Sequence, residues 1–121
     1  MAQQRNLSAV GLPAPLAFNL GGIGATGLTA TGSTQGTALA LPADINAFTT
    51  VAASTGTILP SMNQGDSVVI SNQGANALSV YPPVGGTINA LSANTAFSQT
   101  AAKTAIYHCI NATTYLALLS A

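Results

Sequence analysis

GDSVVISNQGANALSVY, residues 65–81, contains two short runs in which large apolar residues alternate with small or polar ones. Successive side chains on a strand point to opposite sides, so the alternating residues share one face. Val68 and Ile70 share such a face in the first run, and Leu78 and Val80 do so in the second. Asn and Gly between the runs are residue types that supply turns. The stretch therefore predicts two β-strands joined by a turn.

Similar short runs, separated by Gly, Pro and Asn, continue through the rest of the chain from Gly36 onward. Short strands at this spacing are typical of a β-sandwich or barrel, and no segment carries a helix pattern with caps. We therefore predict an all-β protein, a β-sandwich or jelly-roll-like domain over residues 36–121. The predicted strands are Thr37–Leu41, Ile45–Ala52, Thr57–Leu59, Ser67–Asn72, Ala77–Tyr81, Gly86–Ile88, Thr95–Thr100, Thr104–Ile110 and Thr114–Leu118.

Residues 1–35 are rich in Gly, Ala and Thr and have no sustained periodicity. Prolines and glycines interrupt them too often for a membrane-spanning helix or a signal peptide. One interpretation is a flexible tail. We favour an extended N-terminal arm that orders against another subunit, because a free tail gains little from bulky apolar side chains. The candidate intersubunit contacts are Leu7, Val10, Leu12, Leu16, Phe18 and Leu20.

The chain has very few charges: Arg5, Asp44, Asp66 and Lys103 are the only charged residues in 121, and the formal net charge is zero. An ordinary domain is about a quarter charged, and a surface without charge promotes association. Two basic residues are too few for a patch that binds nucleic acid or anionic lipid. The composition favours a self-associating subunit with no nucleic-acid or membrane partner. Sheet edges with so little charge are expected to be covered by the arm or by a neighbour.

Residues 22–27, GIGATG, match the G-x-G-x-x-G dinucleotide fingerprint, and Asp44 follows at the distance of a ribose-binding acid. The fingerprint binds pyrophosphate where a strand leads into a helix. Residues 28–35 have no helical pattern, so we predict no cofactor site here.

Gly65-Asp66-Ser67 resembles the start of the Gly-Asp-Ser-Leu hydrolase motif, and His108 is the single histidine of the chain. That family also requires an aspartate three residues before its histidine, where this chain has Ala105. We expect Asp66 to form a hydrogen bond within the turn, and we predict no catalytic residue. A hydrolase that uses Ser67 and His108 remains an alternative.

His108 and Cys109 are adjacent, and adjacent residues on a strand point to opposite faces. They are therefore not expected to form a catalytic dyad within one subunit. Cys109 is expected to be a small buried residue, and His108 to lie in the core or at a subunit interface. No metal site is predicted within one chain, although a symmetric oligomer leaves open the convergence of His108 or Asp66 on an axis.

A longer pattern resembles small structural proteins of tailed bacteriophages. It comprises residues 65–83, GDSVVISNQGANALSVYPP, residues 85–91, GGTINAL, residues 105–109, AIYHC, and residues 113–118, TTYLAL. The resemblance implies a virion component, most similar to a capsid decoration (cement) protein. It implies a location on the capsid exterior after synthesis in the cytoplasm of the host bacterium, and contact with the major capsid protein.

These expectations combine into a non-enzymatic decoration protein that binds and stabilises the phage head lattice. It would self-associate, with a homotrimer favoured over a dimer. The first alternative is a tail, fibre or spike module involved in host attachment. A secreted sugar-binding jelly roll is a further alternative, disfavoured because aromatic residues are scarce.

Overall fold

The computed structural model describes residues 23–120, which form ten strands and no helix. The all-β prediction is thus confirmed. No helix in this part of the chain has the length and apolar character to cross a membrane. The strands are β1 (Gly24–Thr29), β2 (Leu39–Ala40), β3 (Ile45–Thr50), β4 (Gly56–Ile58), β5 (Ser67–Asn72), β6 (Leu78–Tyr81), β7 (Thr87–Ile88), β8 (Phe97–Gln99), β9 (Thr104–Asn111) and β10 (Thr114–Leu119).

Each strand predicted from the sequence has a counterpart among β2 to β10, with ends that differ by a few residues. β1 was not predicted. It lies within the region assigned to the N-terminal arm, yet it pairs in parallel with β3 and belongs to a sheet. The part of that region from Gly24 to Thr29 is therefore an integral strand. Residues 1–22, including all six candidate intersubunit contacts, lie outside the described residues.

The strands form two sheets, and consecutive strands from β1 to β6 alternate between them. The larger sheet has the order β1-β3-β5-β9-β10-β7, and the smaller sheet has the order β2-β4-β6-β8. β1, β3 and β5 are parallel neighbours, and so are β2, β4 and β6. The chain thus winds from one sheet to the other and back in a solenoid-like manner. β8, β9 and β10 complete the sheets through antiparallel pairs.

The finer prediction, a β-sandwich or jelly roll, does not match these connections, because those folds are built from antiparallel strands. One of these connections is the turn after β5. The Asn72 side chain accepts a hydrogen bond from the backbone N–H of Gly74 (3.1 Å) and donates one to the carbonyl of Asn76 (2.9 Å). This turn leads into the opposite sheet, where a hairpin would have returned the chain to a strand beside β5.

The core lies between the two sheets and takes its side chains from the inward positions of both. Phe48, Ile70 and Tyr107 of the larger sheet are fully buried, as are Leu78 and Val80 of the smaller sheet. The alternation read from the sequence of β5 and β6 therefore identifies the inward residues correctly. Burial of such side chains stabilises the fold by about 1.5–3 kcal/mol each.

Buried polar side chains connect the sheets at one end of the core. Gln99 of β8 donates from Nε2 to the carbonyls of Ile70 (2.8 Å) and Lys103 (2.9 Å), and its Oε1 accepts from the Tyr107 hydroxyl (2.7 Å). Asn72 donates to the Gln99 carbonyl at 3.0 Å. A buried polar group without a partner costs free energy. These bonds therefore fix the position of β8 in the smaller sheet relative to β5 and β9 in the larger sheet.

Candidate interaction surface

The outer face of the larger sheet is the side that points away from the smaller sheet. In β5, Val68, Ile70 and Asn72 are buried, whereas Ser67 and Val69 are partly exposed on the other side. β9 alternates in the same way. A sheet with one packed face normally has polar residues on its solvent side. Val69 departs from that rule, and its neighbours show that the departure extends across several strands.

Four aliphatic side chains lie side by side on this outer face, one on each of four adjacent strands. Strand register pairs Ile45 of β3 with Val69 of β5, Val69 with Ile106 of β9, and Ile106 with Leu118 of β10. Directly paired residues have Cβ atoms about 4.5–5.5 Å apart, so their side chains touch. We call Ile45, Val69, Ile106 and Leu118 the apolar row. Ile45 is 55% exposed and Leu118 is 65% exposed.

On one side of this row the outward positions are Ser67, His108 and Leu116, so polar and aliphatic side chains are mixed there. Leu116 of β10 is paired with His108 of β9, and Ile110 follows two residues later on β9. Leu116 and Ile110 are both exposed. An exposed apolar patch that spans several elements marks an interaction surface more often than a scatter of single residues does.

The surface on the other side of the row is small and polar. Register pairs Ala47 with Ser71 and Ser71 with Thr104. The Thr104 hydroxyl donates to the Ser71 hydroxyl (3.2 Å), and the Thr104 N–H donates to the Ser120 hydroxyl (3.0 Å). We call Ala47, Ser71, Thr104 and Ser120 the polar row. Each of its three hydroxyl groups takes part in a hydrogen bond within the row, whereas the apolar row has no layer of the described residues above it.

A shallow cavity of about 340 Å³ lies where the two rows meet at β10, open to solvent and lined by Thr104, Ile106, Leu118, Leu119 and Ser120. β7 pairs with β10 at Thr114 and Tyr115. Beyond that pair, the Asn89 side chain accepts the N–H of Ala117 (3.0 Å). Within the described residues, the end of β10 is therefore less covered than its start, and an uncovered strand edge is a surface for pairing.

The chain enters the larger sheet next to the apolar row. The backbone N–H of Ile23 donates to the Asp44 carboxylate (3.2 Å), and the N–H groups of Asp44 and Ile45 donate to the Ile23 carbonyl (2.9 and 3.1 Å). Asp44 thus holds the start of β1 beside Ile45. Residues 24–27, which lie in the described part of the G-x-G-x-x-G segment, belong to strand β1 and not to a helix, whereas the fingerprint requires a strand that leads into a helix.

Asp66 and Cys109 lie where the sequence analysis predicts them, and His108 matches its prediction only in part. Asp66 accepts the N–H of Asn63 at 3.1 Å, which confirms its role in the turn. Cys109 is buried, as predicted, and its thiol donates to the carbonyl of Asn111 (3.0 Å). His108 is exposed on the outer face, so of the two positions expected for it the core is excluded. Its role at a subunit interface stays a prediction.

Ser67 and His108 are brought together by the pairing of β5 with β9, where they stand directly opposite each other. A serine nucleophile needs a base that is itself oriented by a third group. The Asp66 carboxylate, next in the chain, is bound to the Asn63 N–H instead. No cluster of three or more His, Cys, Asp or Glu residues occurs between residues 23 and 120. Within the described residues the Ser67 and His108 side chains are not hydrogen-bonded to each other, and no third group is hydrogen-bonded to His108, so strand register supplies the juxtaposition alone.

Sequence reasoning missed the apolar row because its members are far apart in the chain and meet only through strand register. The one local signal was Val69, a large aliphatic residue at an outward position between two serines. No protein-family model, curated protein or solved structure matches this chain.

Proposed function

We propose that this protein is a non-enzymatic structural component of a tailed-phage virion, a capsid decoration protein that binds and stabilises the head lattice. The observation that carries its role as an associating subunit is the apolar row, exposed on a chain with four charged residues. The resemblance of roughly residues 36–119 to small structural proteins of tailed bacteriophages supports the assignment to a phage particle. A decoration role does not depend on a jelly-roll fold, since any compact stack with an apolar outer face supplies such contacts.

The proposed mechanism is mass action. A protein that binds the assembled lattice and not the free capsid subunits shifts the equilibrium towards the lattice. Self-association into a homotrimer, favoured over a dimer, presents several copies of the same surface to neighbouring major capsid proteins. Several weak contacts then combine into strong attachment, because the second contact is made at high effective concentration. Neither nucleic acid nor membrane is a partner in this proposal.

A tail, fibre or spike module is the second candidate. The observation that favours it is the parallel winding of β1 to β6 between two sheets. Repeating parallel stacks grow in one direction and suit elongated parts. The two candidates differ in copy number, which is high for a lattice component and low for a tail component.

Quantitative mass spectrometry of purified particles of the phage that encodes this chain tests the proposal. We expect a copy number comparable to that of the major capsid protein, together with loss of head stability when the gene is deleted. A few copies per particle would favour the tail or fibre module. Absence from the particle would overturn both.

Exposure to a fluorophosphonate probe tests the hydrolase alternative, with Ser67→Ala as the matched control. We expect no labelling, because nothing identified beside His108 orients it as a base. Labelling of the wild-type chain that Ser67→Ala abolishes would contradict the non-enzymatic assignment.

A further inference from the structure

The apolar row ends at the point where the chain enters the larger sheet. Ile23 is held by Asp44 and precedes Gly24, which is paired with Ile45 of the row. Ile23 thus lies beside Ile45, at the end of the apolar row. The polar row starts one step further along β3, at Ala47.

The sequence before Ile23 has the composition that such a surface binds. No charged residue occurs from Leu7 to Ala43, and residues 7–20 contain six bulky apolar side chains. Gly21 and Gly22 come directly before Ile23, and glycine allows the chain to turn in either direction. Fourteen extended residues reach roughly 46 Å at about 3.3 Å per residue. The distance from β3 to β10 is roughly 15 Å, three inter-strand spacings of about 4.8 Å.

We propose that residues 7–20 of a neighbouring copy bind along the apolar row, with one bulky side chain in the cavity beside Leu118. This inference rests on the self-association proposed above. Apart from the outer face and Ile23, the large apolar side chains exposed between residues 23 and 120 are Val84 and Leu91, which lie outside the strands. If each copy covered its own row, the described part of the chain would lose its extended apolar surface for association. In this arrangement each copy contributes its residues 7–20 to a neighbour and binds the same segment of another copy along its own apolar row.

Disulfide trapping between different molecules tests this arrangement in the full-length chain. Leu12→Cys, Leu16→Cys and Phe18→Cys are each co-expressed, with a distinguishing tag, with Leu118→Cys, and the mixture is oxidised mildly. A disulfide requires Cα atoms within about 7 Å. We expect at least one pair to give a heterodimer on non-reducing gels, confirmed by intact mass. The wild-type chain is the background control, because its Cys109 is buried.

The matched control replaces Leu118→Cys with Ser71→Cys, which lies on the same outer face but in the polar row. We expect no heterodimer with Ser71→Cys. A heterodimer of equal yield at both positions, or at neither, would overturn the proposal. An internal disulfide in the double variant Phe18→Cys/Leu118→Cys at high dilution, without intermolecular product, would also overturn it, because the segment would then bind its own copy.

Light scattering separates failure of this inference from failure of the proposed function. We expect Leu118→Ser to lower the mass of the oligomer and Ser71→Ala to leave it unchanged. An oligomer that Leu118→Ser leaves intact would contradict the docking of residues 7–20 on this row. Virion copy number is an independent measurement. If the protein is abundant in the virion but Leu118→Ser leaves the oligomer mass unchanged, the proposed function stands and the docking of residues 7–20 on the apolar row is wrong.

Discussion

Val69 and Ile70 are neighbours in β5, and they show the difference between the two faces of the larger sheet. Ile70 points inward and is fully buried against the smaller sheet. Val69 points outward into the apolar row, where Ile45 and Leu118 are more than half exposed. Both faces carry aliphatic side chains, but the described residues supply a packing layer for one of them.

Aliphatic side chains lie on both faces of the larger sheet, so residue type alone does not show which side chains belong to the core. Inward residues contribute to the free energy of unfolding because folding removes them from water. Outward residues of the apolar row gain that contribution when another molecule covers them. The same residue type thus serves folding on one face and, in our proposal, association on the other.

The largest expected effect comes from replacing an inward and an outward isoleucine by alanine, which tests the difference between the two faces of the larger sheet. Ile70→Ala should lower the free energy of unfolding by about 2–5 kcal/mol, because it opens a cavity in the core. In the monomer, at a protein concentration too low for association, Ile45→Ala on the adjacent strand should change it by less than about 0.5 kcal/mol, as expected for a surface position. Urea denaturation of both variants at one protein concentration measures the two effects. Equal losses would mean that the outer face is packed during folding of the single chain.

Two buried tyrosines of the core, Tyr107 and Tyr115, differ in the hydrogen bonding of their hydroxyl groups. Tyr107 donates its hydroxyl to Gln99, whereas the buried hydroxyl of Tyr115 lies near the Met62 backbone and the Cys109 thiol without well-formed hydrogen-bond geometry to either. Tyr107→Phe should cost about 1–3 kcal/mol, because it leaves Gln99 Oε1 buried without a donor. Tyr115→Phe should be neutral or slightly stabilising. Thermal denaturation ranks the two variants, and the reverse order would show that hydrogen bonding does not decide the cost.

Alkaline pH tests the same buried tyrosine in the wild-type chain. Burial raises the pKa of Tyr107 well above its ordinary value of about 10. The unfolded chain therefore releases this proton at a lower pH than the folded chain does. Its contribution is complete below pH 10 and is lost above it, by about 1.4 kcal/mol for each pH unit while Tyr107 stays neutral in the fold. Tyr107→Phe should show a shallower decline in urea denaturation between about pH 10 and 11.

Much of the secondary structure could be predicted from local sequence, because alternation and turn residues act over short distances. β5 was predicted with its full range, and the inward pair Val68 and Ile70 was identified. β1 was missed because Gly24 and Gly27 break any alternation, and this strand forms by parallel pairing with β3. Whether a Gly/Asn-rich turn returns the chain to the same sheet or leads to the other depends on long-range pairing.

The candidate surface could not be predicted for a related reason. Ile45, Val69, Ile106 and Leu118 are 24, 37 and 12 residues apart in the chain, and a shift of one residue in any strand would turn its member inward. The pairing of Ser67 with His108 is also a consequence of register. The exposure of His108 follows from the inward position of Cys109, which the sequence analysis identified, but excluding His108 from the core needed the second sheet.

The smallest expected effect concerns salt and tests whether the outer face associates through apolar contact. Raising NaCl from about 0.1 to 1 M shortens the Debye length from about 10 Å to 3 Å, which weakens contacts between exposed charges. The members of the apolar row carry no charge, so the oligomer mass measured by light scattering should stay constant across this range. Urea weakens apolar burial without adding ions and should dissociate the oligomer in either salt. Dissociation by moderate NaCl at neutral pH would show that charged residues hold the copies together, and the apolar row would then lose its assignment as the interface.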